Sequence, residues 1–195
     1  MPTVVAVLVV LTTLTLLNLL LTFGVIRKLR EHTQELARAR PPVTLSVGAQ
    51  VPDFTAATAG GDVVSTASLR ASGGLVAFLA PDCSGCQEQL PSTRSALAEA
   101  LDTPMAVLVV ITRLHPAPDR DDRERAELVA ALGVADSRAV IVHEPLDGAL
   151  QSAFQVAAFP AFYLVDTDGR VAAASNNASQ LPDLSPGRDV VSAGR

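Results

Sequence analysis

Residues Gly74–Cys86 have the sequence GLVAFLAPDCSGC, which joins a run of apolar side chains to the only two cysteines of the chain. The run Gly74–Ala80 predicts a buried strand, and residues 87–101 predict a helix after it. Cys83 and Cys86 are thus three positions apart at the start of a helix, where two thiols can close into a disulfide. The helix dipole and the free backbone N–H groups there stabilise a thiolate on the first cysteine. This pattern favours disulfide exchange.

Three other uses compete for the cysteine pair. A structural zinc site needs four ligands, and the chain has no further cysteine and only the scattered His32, His115 and His143. An inert disulfide over so short a loop removes little entropy from the unfolded chain, so it stabilises poorly. A copper(I) metallochaperone remains an alternative because soft thiolates suit Cu(I), although no methionine or histidine presents itself as a third ligand.

The rest of the chain alternates between strand-like and helical patterns. Short strands around 54–57 and 63–65 flank Gly60-Gly61, which indicates a hairpin. Pro91 lies inside the helical pattern and is expected to kink it. Further strands are predicted over 105–111 and 139–142, helices over 121–132 and 146–154, and a closing hairpin over 161–166 and 170–174. This alternation predicts an α/β domain whose sheet is covered on both faces.

The N-terminal segment has the composition of a membrane anchor. No charged side chain occurs from Pro2 to Ile26. As a helix, Thr3–Ile26 would span about 36 Å, enough for a hydrocarbon core of about 30 Å. A signal-peptide core is shorter and follows a basic segment. We therefore expect an uncleaved transmembrane anchor over residues 1–26.

The remaining boundaries follow from composition and charge. Residues 27–46 are predicted to form a helical stalk ended by Pro41-Pro42 and a linker, and residues 175–195 a weakly ordered tail. Residues 27–40 carry a net charge of +3 and residues 41–195 one of −8. An acidic domain without a basic patch argues against nucleic acid as a partner.

The domain over residues 47–174 carries four motifs that point to a family. These are Gly48–Phe54 at the domain entrance, Pro81–Cys86 after the strand, Leu90-Pro91 in the helix and Ala158–Phe162 before the last hairpin. With them the chain resembles the membrane-anchored thioredoxin-like thiol–disulfide oxidoreductases of bacteria, of the TlpA/ResA type and in particular MauD-like proteins. The resemblance implies a thioredoxin-like fold: a central mixed sheet with helices on both faces, behind an N-terminal transmembrane helix.

The resemblance also implies a role for each site residue. Cys83 would attack a disulfide and Cys86 would resolve the mixed disulfide. Pro160 would follow a cis peptide bond and lie against the cysteines, leaving main-chain groups of Phe159 free to dock a peptide substrate; an ordinary trans proline before an edge strand is the alternative. The partners would be protein thiols and disulfides and a redox partner in the membrane. No bound cofactor is required, since electrons pass between thiols.

Three positions depart from the family pattern. Asp82 stands where relatives often carry tryptophan, and a carboxylate there disfavours the thiolate of Cys83. Gly85 replaces the proline that many relatives have before the second cysteine, which loosens the turn. Gln89 replaces an acidic residue and cannot take a proton, so the proton relay assigned to that acid is in doubt. Glu88 beside it is expected to be a solvated helix residue.

Two further expectations concern the class of enzyme and its location. A peroxiredoxin-like antioxidant protein would have proline and threonine or serine where this chain has Val76 and Ala80, which disfavours a peroxidatic Cys83. The five basic residues after the anchor favour a cytoplasmic domain by the positive-inside rule. The family resemblance favours an extracytoplasmic domain on the cell membrane, which is the expectation we adopt.

Overall fold

The computed structural model describes Val4, residues 11–19, Thr22, and residues 45–115, 121–135 and 137–184. The chain divides into two compact units, Met1–Pro42 and Val43–Arg195.

In the first unit, residues 11–19 are helical and their side chains are exposed. The described residues include no helix with both the length and the apolar character needed to cross a bilayer. More than half of Thr3–Ile26 lies outside the described residues, as do the predicted stalk over 27–40 and residues 41–44 of the linker. The anchor and the stalk therefore stay predictions.

The described part of the second unit alternates strands and helices. The bounds of its strands, including those of the first and the last hairpin, agree with the predicted bounds within one or two residues. The strands are β1 Thr55–Ala57, β2 Val63–Ser65, β3 Gly74–Leu79, β4 Ala106–Thr112, β5 Val140–Glu144, β6 Ala161–Val165 and β7 Val171–Ser175. The helices are α1 Thr66–Ser72, α2 Ser84–Glu88, α3 Leu90–Leu101, α4 Asp121–Leu132 and α5 Ala149–Ala153, followed by a 3-10 helix over Ala178–Gln180.

Five strands form one mixed sheet in the order β5-β4-β3-β6-β7, and β1 pairs with β2 in a separate antiparallel hairpin. β3 and β4 are parallel, as are β4 and β5, whereas β6 runs antiparallel to β3 and β7 antiparallel to β6. The predicted central strand is therefore the middle of the sheet, and all six of its residues are buried.

The apolar run of β3 supplies both faces of the sheet because successive side chains alternate. Val76 and Phe78 join a core cluster that includes residues of α1 and α5. Leu75 and Leu79 join the opposite cluster with residues of α3 and α4. This arrangement confirms the predicted thioredoxin-like α/β fold with a mixed sheet and helices on both faces.

The helix after the cysteines is divided into two. α2 ends at Glu88 and α3 begins at Leu90, with Pro91 in its first turn. A proline is tolerated there because the first N–H groups of a helix have no intrahelical partner. The predicted kink is thus a break at Gln89.

The prediction of a weakly ordered tail from residue 175 is wrong for its first part. Ala178 and Leu184 are each only 4% exposed. The backbone N–H of Leu184 donates to the carboxylate of Glu99 on α3 at 2.7 Å. The apolar residues here are too far apart for a periodic pattern, so local sequence gives no signal for this packing. Residues 185–195 lie outside the described residues.

Candidate active site

The cysteine pair lies where the central strand turns into the first helix after it. Cys83 is the N-terminal cap of α2, with an extended backbone at φ −106° and ψ 118°. Its sulfur accepts the backbone N–H of Cys86 at 3.4 Å. This contact holds the Cys83 sulfur at the N-terminus of α2, where the first backbone N–H groups have no partner within the helix.

The two thiols, both free, differ in exposure. Cys83 is partly exposed, whereas Cys86 is only 1% exposed and belongs to the core cluster between the sheet and helices α3 and α4. The sulfur of Cys86 accepts the backbone N–H of Ala80 at 3.5 Å. An external disulfide can therefore approach Cys83 more readily than Cys86.

Burial raises the pKa of the Cys86 thiol well above its usual range. The neighbouring sulfur of Cys83 and the carboxylate of Asp82 raise it further, and the N–H of Ala80 offsets only part of these effects. Cys86 is accordingly a neutral thiol at neutral pH until the chemistry at Cys83 changes its surroundings.

The loop before β6 faces this pair. The Cys83 thiol donates to the backbone carbonyl of Phe159 at 3.5 Å. The Phe159–Pro160 peptide bond is cis, as the family resemblance implied. A Cβ atom added at Gly85 would lie 3.6 Å from Cδ of Pro160, so the loop lies against the turn between the cysteines. The structure thus brings together all four predicted site residues.

Asp82 contacts a loop that the sequence analysis did not connect with the site. Its carboxylate accepts the backbone N–H of Leu114 at 3.1 Å and that of His115 at 2.8 Å, and lies 3.1 Å from Nδ1 of His115. Burial raises the pKa of Asp82, but these hydrogen bonds outweigh burial and hold the pKa below its usual value. Asp82 therefore stays ionised beside the cysteines.

Gln89 and Asn176 are two further polar residues next to the site. The side chain of Gln89 contacts the segment after β7 through the carbonyl of Asn176. The side-chain amide of Asn176 in turn donates to the carbonyl of Pro160 at 2.8 Å. Sequence reasoning singled out Gln89 as a departure from the family but missed Asn176, which lies in the supposed tail. Glu88 is exposed, as predicted.

The described residues contain no group of three or more histidine, cysteine, aspartate or glutamate side chains that could hold a metal ion. His115 and His143 are both exposed. The third histidine, His32, lies outside the described residues.

The described residues combine a thioredoxin-like fold with two free thiols three positions apart at a helix N-terminus. The chain belongs to the AhpC/TSA family, whose model matches residues 47–174. That span has the same limits as the predicted domain. The narrower TlpA/ResA or MauD-like grouping stays a prediction.

Solved structures of similar fold are consistent with this family. The thioredoxin domain of a thiol-disulfide oxidoreductase from Bacteroides vulgatus is 20% identical, with a TM-score of 0.53 over 67% of this chain and 89% of the other. MTB dsbF, in mixed oxidized and reduced forms, is 26% identical, with a TM-score of 0.51 over 68% and 89%. A thiol:disulfide interchange protein from Bacteroides sp. is 20% identical, with a TM-score of 0.51 over 67% and 82%. A comparison with curated protein sequences found no match.

Proposed function

We propose that the protein is a membrane-tethered thiol–disulfide oxidoreductase that exchanges disulfides with protein partners through Cys83 and Cys86. The observation that carries this proposal is the asymmetry of the pair. A partly exposed sulfur accepts a helix N-terminal N–H, and a buried neutral thiol lies one helical turn behind it. In such a pair the partly exposed thiol can attack a partner disulfide and the buried thiol can resolve the mixed disulfide.

The reaction proceeds in two exchanges. The Cys83 thiolate attacks one sulfur of a partner disulfide, a Cys83–partner bond forms, the partner's S–S bond breaks, and one partner sulfur leaves as a thiolate that takes a proton from water. Cys86 then loses its proton and attacks the sulfur of Cys83, which releases the second partner thiol. The enzyme is left with a Cys83–Cys86 disulfide, and the partner has gained two electrons. The same steps in reverse oxidise a partner dithiol.

The environment of Cys86 fits the resolving role. Its raised pKa keeps the thiol protonated while Cys83 is a free thiolate, because a second negative charge there is disfavoured. Once Cys83 is held in a mixed disulfide, that charge is gone and the Cys86 thiolate becomes easier to form. The part of the increase in the pKa of Cys86 that comes from Cys83 is thus removed at the step at which Cys86 reacts, whereas the larger part, which comes from burial, remains.

Phe159 and Pro160 are proposed to dock the partner. The carbonyl of Phe159 lies 3.5 Å from the Cys83 sulfur, so a peptide lying along this loop would present its disulfide to Cys83. Main-chain pairing of this kind gives affinity without requiring one particular sequence. This is consistent with exchange among several protein partners.

The membrane tether is proposed from the sequence of residues 1–26. It is supported by the helical residues 11–19, whose exposed side chains include Leu11, Leu14, Leu16, Leu17 and Leu19. We place the domain outside the cytoplasmic membrane, as the resemblance to the TlpA/ResA type implies, although the basic residues after the anchor favour the opposite side.

A redox titration tests the proposed chemistry. The full-length protein is equilibrated with a series of glutathione ratios, and its free thiols are then modified with a mass-adding maleimide. We expect two modified thiols under reducing conditions, none under oxidising conditions, and one transition between them. Thiols that stay modifiable at every ratio would overturn the proposal. Cys86→Ser is the control, since it cannot form the internal disulfide.

A peroxiredoxin-like activity is the second candidate, because the AhpC/TSA family match is consistent with it. There the Cys83 thiolate would attack hydrogen peroxide to give a sulfenic acid and water, and Cys86 would close the disulfide with release of a second water. Peroxide consumption by the reduced protein distinguishes the two. We expect the protein to consume peroxide slowly and to exchange quickly with a protein disulfide. The reason is that Val76 and Ala80 stand where peroxiredoxins have proline and threonine or serine.

A further inference from the structure

The segment immediately after β7 makes a hydrogen-bonded bridge next to the cysteine pair. We call residues 176–178 the strap. Asn176 lies at its first position, and its side-chain amide donates to the backbone carbonyl of Pro160 at 2.8 Å. The strap is therefore hydrogen-bonded to the loop that faces Cys83.

The other end of the bridge is the side chain of Gln89, which uses both ends of its amide. Its Nε2 donates to the backbone carbonyl of Asn176 at 3.0 Å, and its Oε1 accepts the backbone N–H of Ala178 at 3.3 Å. Because a glutamine amide has one donor end and one acceptor end, it matches this pair of backbone groups. A carboxylate could accept from Ala178 but could not donate to Asn176.

Gln89 is rigidly joined to the helix of the cysteines. It ends α2 and begins α3, and its own backbone N–H donates to the carbonyl of Gly85 at 3.1 Å. Gly85 lies between the two cysteines and against Pro160. A closed path of contacts thus runs from Pro160 through the strap to Gln89 and back to the cysteine turn.

The strap lies outside the part of the chain that the family model matches, which ends at residue 174. Ala178, at the end of the strap, and Leu184 beyond it are both buried, and the backbone N–H of Leu184 donates to Glu99. These contacts anchor the segment after β7 along α3.

We propose that Gln89 and Asn176 are positioning residues for disulfide exchange, which act through the strap to hold the Phe159–Pro160 loop at its distance from Cys83. This inference rests on the proposed function, because it concerns how a partner is presented to Cys83. On this basis Gln89, which stands where relatives have an acidic residue, forms one half of a hydrogen-bonded bridge and has no part in proton transfer.

The first test compares Asn176→Ala with Gln180→Ala. Gln180 is exposed and lies outside the strap, and its side chain accepts the hydroxyl of Ser175 at 3.0 Å, so its removal leaves the bridge to Pro160 in place. The reduced full-length variants react with a synthetic peptide that contains one disulfide, and separately with iodoacetamide, which needs no docking. Both are measured well below the melting temperature of each variant.

We expect Asn176→Ala to lower kcat/KM for the peptide by about fivefold, the change typical of one lost hydrogen bond. The alkylation rate of Cys83 by iodoacetamide should stay unchanged, and Gln180→Ala should match the wild type in both reactions. Equal peptide rates for the two variants and the wild type would overturn this inference and leave the proposed function unaffected. A wild type that leaves the peptide intact would overturn the proposed function and the inference together.

The second test uses Gln89→Glu and separates positioning from proton transfer. The introduced carboxyl group can donate to the carbonyl of Asn176 while it is protonated, whereas the ionised carboxylate cannot donate and repels that carbonyl. The ratio of variant to wild-type peptide rates should therefore fall as pH rises through the pKa of the new carboxyl group. Taking the ratio cancels the titrations that the two proteins share, and the pH dependence of alkylation by iodoacetamide corrects for the effect of the new charge on Cys83. A ratio that rises with pH would show a proton acceptor and overturn the positioning role.

Discussion

The two thiols share one helix turn but differ in chemistry because of what surrounds each sulfur. Cys83 lies at the end of the helix, where N–H groups point outward, and Cys86 lies inside the core. Burial raises the pKa of Cys86, so the difference in role follows from position and not from residue type. Two changes at single residues test this division.

The first prediction concerns trapped intermediates. Cys86→Ser should accumulate mixed disulfides with partner proteins, because the attacking thiol survives and the resolving thiol is gone. Cys83→Ser should accumulate few or none, because its remaining thiol is buried. A non-reducing gel of cells whose thiols are alkylated at lysis measures both. Equal trapping by the two variants would mean that the roles are wrongly assigned.

The second prediction concerns Asp82, whose carboxylate raises the pKa of Cys86. Asp82→Asn removes that charge, so the pKa of Cys86 should fall and resolution should be faster at neutral pH. We expect a small gain, because burial, the largest cause of the raised pKa of Cys86, is unchanged by the substitution. The measurement is the rate at which a preformed Cys83 mixed disulfide is released as a function of pH. Glu88→Gln is the control with the same change of charge at an exposed position, and an equal gain there would contradict a specific effect.

Among the secondary-structure elements, the start of α5 depends on a side chain of the strand before it. The strands were predictable because continuous apolar runs have no other stable environment in a soluble domain. The start of α5 was not, because it depends on Glu144 in β5. That carboxylate is buried and accepts the backbone N–H groups of Leu150 and Gln151 at 2.7 and 3.1 Å.

The third prediction follows from this capping contact. Glu144→Ala should lower the free energy of unfolding by about 2–4 kcal/mol, because it leaves the buried backbone N–H groups of Leu150 and Gln151 without their acceptor. Glu144→Gln keeps one acceptor oxygen and should cost roughly half as much. Urea unfolding of the three proteins gives the comparison. Identical midpoints for the two variants would show that the hydrogen bonds to Glu144 do not determine the stability of this region.

The site divides in the same way into a predictable and an unpredictable part. Cys83, Cys86 and Pro160 could be found from sequence because each is marked by a local motif or a family resemblance. Asn176 and the loop of Leu114 and His115 could not, because they reach the site only through long-range hydrogen bonds. Asn176 also sits in a polar, glycine- and proline-rich stretch whose composition is typical of weakly ordered chain.

For the molecule as a unit, the proposed membrane location rests on the distribution of charge and apolar residues along the chain. The N-terminal 26 residues carry no charge, residues 27–40 carry a net +3, and residues 41–195 carry a net −8. A basic segment beside an apolar one is attracted to anionic lipid, whereas an acidic domain is repelled by it. This pattern fits a redox domain held at a membrane surface without lying on it.

The fourth prediction is that the full-length protein fractionates with membranes and keeps residues 1–40. Its apolar segment is longer than a signal-peptide core, so we expect no cleavage. Intact-mass measurement of the native protein decides the point. A soluble species that begins near residue 41 would mean that the segment is a cleaved signal and that the tether does not exist.

The fifth prediction concerns the side of the membrane on which the domain lies. The positive-inside rule and the family resemblance disagree, and we expect the extracytoplasmic side. A membrane-impermeant thiol reagent should therefore label reduced Cys83 in intact cells, because this sulfur is the partly exposed one of the pair. Cys83→Ser should lose most of the label, since Cys86 is buried, and this variant shows that the signal comes from the site. Labelling that appears only after the membrane is broken would place the domain in the cytoplasm, where the basic residues after the anchor would put it.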